Sequence, residues 1–174
     1  ITRHAIAELG LVIQPQLTQA AATPIADPGT HALGRTTRLL CELKYQFDIV
    51  TDFADWDKYE LLVLPDHIVM NDEFAARIRK HLDKGGAILS SAWSGLDPAG
   101  QDYVFPEWGA QYLGEDPYDP AFFKPAAAFA AEMPDMPITL YQRGVNLAPR
   151  PGATVLGEII APYYNKHWDG EHGF

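Results

Sequence analysis

Two short segments hold the side chains that could do chemistry. In "LLVLPDH" an apolar run ends at a proline and Asp66 and His67 follow at once, and in "GGAILSSAWSG" a second run ends among Ser90, Ser91 and Ser94. A serine hydroxyl with a histidine base is the pairing used for acyl transfer, and strand-to-turn junctions of α/β proteins are where it is placed. His67 with Ser90, Ser91 or Ser94 would therefore be the working set of a stand-alone enzyme. The local spacing argues otherwise. A nucleophile elbow needs glycine two positions either side of the serine, so that a strained turn can form. Ser91 has Leu89 and Trp93 there, and Ser94 has Ala92 and Leu96. The expectation is a set of strand-end serines hydrogen-bonded locally, a turn-stabilising role for His67, and no catalytic residue.

The other reactive types give less. The single cysteine, Cys41, lies in "RTTRLLCELKYQF", where positions 33, 37, 40, 44 and 47 follow helical spacing. It has no internal disulfide partner, and a mid-helix position supplies nothing to lower its pKa, so a small buried hydrophobe is expected. "HWDGEHGF" gathers His167, Asp169, Glu171 and His172. Being terminal and glycine-bearing, it reads as a frayed end, and no metal is expected. The acids of "EDPYDP", "DKYE" and "NDE" read as solvated turns and helix caps.

These segments must be held by a framework, and the composition bounds it. At 174 residues the chain is long enough for one domain with a proper core, and a single domain over 1–174 is expected. Thirteen basic residues stand against 23 acidic, a formal net charge of −10. That field repels nucleic acid and anionic lipid alike. No stretch approaches the ~18 uninterrupted apolar residues of a membrane span, and no signal sequence is seen, so a cytoplasmic piece of a longer polypeptide is expected.

"AELGLVIQP" (7–15) reads as a strand entering a Pro-, Gly- and Ala-rich loop. A helix follows from about Thr30, its cap, to Phe47. "FDIVTDF" (47–53) is β-rich, and "YELLVLPD" (59–66) is a continuous apolar strand, the pattern of burial on both faces in a parallel sheet. "NDEFAARIRKHLDKGG" is the clearest helix. Asn71 caps it, acids sit in its first turn, Gly85 stands just past its end, and Phe74, Ala75, Ile78 and Leu82 form one stripe. With "GAILSSAW" as the next strand, the alternation builds a doubly wound α/β sheet. Residues beyond Trp93 form a Pro- and aromatic-rich excursion with a short helix near 106–113, and "ITLYQRGVNLAP" and "ATVLGEIIAPYY" read as two more strands. Trp93, Trp108, Tyr112, Tyr118, Phe122 and Phe123 either pack beneath their own loops or form an interface or sugar-site rim.

The segment "YELLVLPDHIVMNDEFAARIRKHLDKGGAILSSAWSG" resembles the middle, trimerisation domain of the β-galactosidases of glycoside hydrolase family forty-two. The resemblance is carried by the "Y-x-L-L-V-L-P" strand, the "N-D-E" helix and the "G-A-I-L-S-S-A-W-S-G-L-D" strand and turn, with the tail "GATVLGEIIAPYYNKHW" matching more loosely. It implies a three-layer flavodoxin-like α/β fold of the class I glutamine amidotransferase kind, a mostly parallel sheet with helices on both faces. It further implies a non-catalytic accessory domain that follows a catalytic barrel, serves self-association as a trimer or dimer, and borders a neighbouring subunit's carbohydrate site. The hydrolytic acids would lie in that barrel. An amidotransferase would need a cysteine at a Gly-x-Cys-x-Gly elbow with His and Glu partners, and neither strand-end segment contains cysteine. A third reading, a flavin or nucleotide module, lacks support: "QPQLTQAAATPIADPGT" offers no phosphate cradle beyond Gly29 and Thr30, so no cofactor is expected.

Overall fold

A computed structural model describes residues 7–14, 28–118, 120–130, 133–141 and 143–163. By their internal contacts they divide into two compact units, 1–104 and 105–174.

The first unit is built on four parallel strands, β1 (Leu9–Ile13), β2 (Phe47–Thr51), β3 (Leu61–Leu64) and β4 (Ala87–Ser90), in the order β2-β1-β3-β4. The two central strands carry the continuous apolar runs, and Leu11, Val12, Leu62 and Leu64 are fully buried. That is the expected price of covering a parallel sheet on both faces. Helix α1 (Pro28–Glu42) joins β1 to β2 and packs Leu33 and Leu40 against Leu9, Leu11 and Val63. Proline at its first position suits a helix start, where the missing N–H costs nothing. Helix α2 (Asp72–Asp83) joins β3 to β4, with Asn71 accepting a hydrogen bond from the Phe74 N–H at 2.8 Å and Asp72 and Glu73 in its first turn.

The sequence reading of α2 holds at both ends, with one change on its inner face. His81 is buried there with Phe74, Ala75 and Ile78, while Leu82 is half-buried. The His81 ring lies so close to Gly86 that a methyl group at 86 would overlap it. Helix α1 departs further. It begins at Pro28 rather than at a Thr30 cap, and it stops at Glu42 rather than running to Phe47. The stop is a Schellman turn: the Tyr45 N–H reaches Leu40 O, the Lys44 N–H reaches Cys41 O, and Lys44 takes the left-handed φ of 61° that glycine usually supplies. With the helix ending at Glu42, its inward apolar residues are Ala32, Leu33 and Leu40. Cys41, one residue and about 100° further round, is exposed, which corrects the expectation that it is buried.

The second unit is antiparallel. β5 (Ala110–Glu115) pairs with β8 (Val145–Pro149), with a bulge between Tyr112 and Gly114, and β6 (Ala121–Pro125) lies between β7 (Ile138–Leu140) and β9 (Gly157–Ile160). The helix expected over 106–113 is a single 3-10 turn, Pro106–Trp108, ended by Gly109 at φ 76°, after which the chain extends into β5. Strand β6 comes from "AFFKP", which the sequence reading left inside the excursion. The pairing of Phe123 with Ile138 on one side and Ile159 on the other puts Phe123, Ile138, Leu140 and Ile159 on one face. No helix among the described residues is long and apolar enough to cross a membrane.

Candidate functional site

The loops that leave β3 and β4 at their carboxyl ends meet, and they contain the residues singled out for chemistry. Pro65 ends the first strand, and Asp66 turns the chain through a φ of 41°. Its N–H donates to Ser91 Oγ at 3.0 Å, and the same hydroxyl donates to Asp66 Oδ1 at 2.6 Å, so the two residues bind each other reciprocally. Ala92, next along, takes a φ of 48°. Left-handed backbone at two residues with a Cβ costs about 1 kcal/mol or more each, and such positions persist where surrounding bonds over-determine them. Here the Tyr103 hydroxyl donates to Ala92 O at 2.6 Å, the fully buried Ser94 accepts the Ile68 N–H at 2.9 Å, and Ser90 Oγ donates to Ser94 O at 2.7 Å.

This geometry gives each serine hydroxyl a structural partner. The His67 ring lies flat on Trp93, with centroids 5.0 Å apart and planes 8° from parallel, and the stack is half-buried. Base and hydroxyl thus occupy neighbouring loops while being aimed elsewhere. The cluster of His167, Asp169, Glu171 and His172 lies outside the described residues; among the described residues, no group of three or more His, Cys, Asp or Glu is placed to hold a metal ion.

The remaining aromatics lie in the second unit. Trp108 stacks on Phe105 at 4.8 Å, Tyr112 is on β5, the Tyr118 N–H donates to Asp116 Oδ1 at 3.0 Å, and Phe122 is on β6. All four are half-buried. The surface that stands open is aliphatic. Ile138, Leu140 and Ile159 are 37%, 37% and 44% exposed on the face they share with Phe123, and Leu113 at the bulge and Leu147 on β8 are exposed as well. The sequence reading passed over these positions. Their signal was the apolar pairs in "ITL" and "EII", too rich for a three-stranded sheet that is solvated on one side.

A second set of charges lies at the opposite, amino end of the sheet. Asp48 accepts from Lys58 Nζ at 2.7 Å and from the Tyr59 hydroxyl at 2.8 Å. The Lys58 bond, then the Tyr59 bond, holds the Asp48 carboxyl below the usual range, and Asp48 in turn raises Lys58. Burial, then Asp48, raises Tyr59.

Against known proteins, the first unit decides the comparison. Residues 38–104 match the β-galactosidase trimerisation domain. The match runs from the middle of α1 past β4. Among solved structures, α-L-fucosidase isoenzyme 2 from Paenibacillus thiaminolyticus superposes with a TM-score of 0.77 at 30% identity, over 92% of this chain and 24% of that one. The β-galactosidase from Rahnella sp. R3 gives 0.70 at 16% identity, over 91% of this chain and 26% of that one. The β-galactosidase from Bacillus circulans gives 0.69 at 16%, over 91% and 25%. The chain thus spans about a quarter of the length of these structures. No curated protein matches it.

Proposed function

We propose that the chain is the association module of a larger glycoside hydrolase, holding subunits together as a trimer and contributing no catalytic residue of its own. The match of residues 38–104 to the trimerisation domain carries this reading. The open apolar face of β7, β6 and β9 supports it, because a monomeric domain seldom leaves such a face uncovered. Trp93, Trp108, Tyr112, Tyr118 and Phe122 are proposed as anchors or as the rim of a neighbouring subunit's sugar site, since half-buried aromatics combine contact area with a polar handle.

A flavodoxin-like, three-layer arrangement of the amidotransferase kind fits the same unit. The order β2-β1-β3-β4 is the beginning of that topology. Because β1 to β2 and β3 to β4 step outward in opposite directions, right-handed crossovers put α1 and α2 on opposite faces. The left-handed positions at the two strand ends then hold Asp66 and Ala92, neither of them the cysteine that an amidotransferase elbow uses.

Light scattering over a concentration series tests the association. A trimer of the 174-residue chain that dissociates in Ile138→Lys/Ile159→Lys supports the reading, and a monomer at every concentration removes it for this chain. The parent's sugar has two versions, because the 30% identical relative is named an α-L-fucosidase while the matched family is named for β-galactosidase. Hydrolysis of nitrophenyl α-L-fucoside against nitrophenyl β-D-galactoside by the full-length parent distinguishes them.

A further inference from the structure

In an open α/β sheet, ligands bind outside the carboxyl ends of the strands where the strand order reverses. Here the order reverses between β1 and β3. Gln14, immediately after β1, closes that point: its Nε2 donates to Val69 O at 2.8 Å and its Oε1 accepts the Val69 N–H at 3.0 Å, 55 residues away in sequence. Over this braced floor lies a cavity of about 350 Å3. That volume falls at the lower end of the ~300–1,000 Å3 of ligand clefts.

The walls decide what it would take. Asp52, just past β2, and Glu73, in the first turn of α2, bring carboxylates; Asn71 and Gln14 bring carboxamides; Arg77 brings a guanidinium. Arg77 is held in place, donating to Ala54 O and lying 4.0 Å from the centroid of the Trp56 ring. At the mouth stands Phe53, 77% exposed. An anion would meet two carboxylates on a chain of net charge −10, and the helix N-terminus that could cradle a phosphate already gives its Phe74 N–H to Asn71. A cation would meet Arg77. An uncharged polyol meets neither objection: its hydroxyls donate to carboxylates and accept from guanidinium and amide, and its C–H face can lie on an aromatic ring.

We propose that the crevice formed by Gln14, Asp52, Phe53, Asn71, Glu73 and Arg77 is a binding site for a neutral, monosaccharide-sized polyol. It does not rest on the association reading, and either can fail alone. The test is a titration of the 174-residue chain with D-galactose, followed by 1H–15N spectra of the Gln14 side-chain amide and Arg77 Nε and by saturation transfer to the sugar. D-galacturonate and D-galactosamine serve as charged counterparts of the same shape. Saturable shifts at both side chains are expected in the millimolar range, with galactose above either charged form. Phe53→Ser and Glu73→Gln each weaken binding by about tenfold while leaving the spectral dispersion of the fold intact. Spectra unmoved by galactose would overturn the proposal. So would stronger binding of a charged sugar, or shifts that persist in the Phe53→Ser/Glu73→Gln double variant.

Discussion

β1 and β3 sink Leu11, Val12, Leu62 and Leu64 completely, whereas β7 and β9 leave Ile138, Leu140 and Ile159 more than a third exposed. The buried and the exposed residues are alike in type, leucine, valine and isoleucine, so side-chain type alone does not make the difference. A parallel sheet is joined by crossovers that carry helices onto its faces, and α1 covers β1 and β3 with Leu33 and Leu40. Among the described residues of the second unit no α-helix lies between its strands, and the link from β6 to β7 holds only the 3-10 turn Ala127–Phe129, so the connections bring little cover with them. The central strands of the first unit therefore complete their core from their own chain, although its edge strands β2 and β4 still expose Ile49 and Leu89, while in the second unit the exposed positions line one face of β7, β6 and β9.

The largest effect should separate the two units by stability. Leu62→Ala empties a fully buried site and is expected to cost about 2–5 kcal/mol, while Ile138→Ala should cost less than about 1 kcal/mol in the monomer; urea unfolding measures both. Equal losses would mean the apolar face of the second unit is already covered within the chain. Next comes Gly86→Ala, where the added methyl meets the His81 ring and about 1–3 kcal/mol is expected. The same substitution on a His81→Ala background should lose most of that penalty, and persistence of the full cost would place the strain in the backbone.

Lys44→Gly works the other way. Relieving a side chain from a left-handed φ should stabilise the first unit by about 1 kcal/mol, read as a higher midpoint in the same unfolding experiment. The smallest effect is electrostatic. The folded Asp48 titrates below its unfolded value, so its contribution is complete above the ordinary carboxylate range near ~4 and is lost as pH falls through the lower, folded value. Asp48→Asn should flatten the acid limb of stability against pH without altering its neutral part, and an unchanged acid limb would show that Lys58 and Tyr59 do not hold this carboxylate in solution.

The same contrast explains what could be read ahead of the structure. β3, α2 and β4 announce themselves through contiguous apolar residues and local caps, Asn71 at one end and Gly85 at the other, so short windows suffice. The stop of α1 at Glu42 has no such mark, because Lys44 stands where glycine would signal the turn. Strand β5 was read as helix because "PEWGAQYLG" has no alternating pattern, and its form depends on pairing Tyr112 with Leu147, 35 residues on. At the site, the wrong spacing for a nucleophile elbow could be read residue by residue. The brace from Gln14 to Val69 could not, since a side chain replacing a strand's ladder bonds depends on two distant segments meeting.

That brace makes the loop beyond β3 sensitive to a single atom. Gln14 works because one end of its carboxamide gives a proton while the other receives one. Hydrolysis of the amide, the slow chemical ageing to which glutamine is subject, would replace Nε2 by oxygen and set a charged acceptor against the Val69 carbonyl. The isosteric change would keep the shape of the latch and reverse its effect, releasing a loop that carries Asn71 and the start of α2. The durability of this corner of the protein is then a matter of covalent chemistry over time as well as of folding.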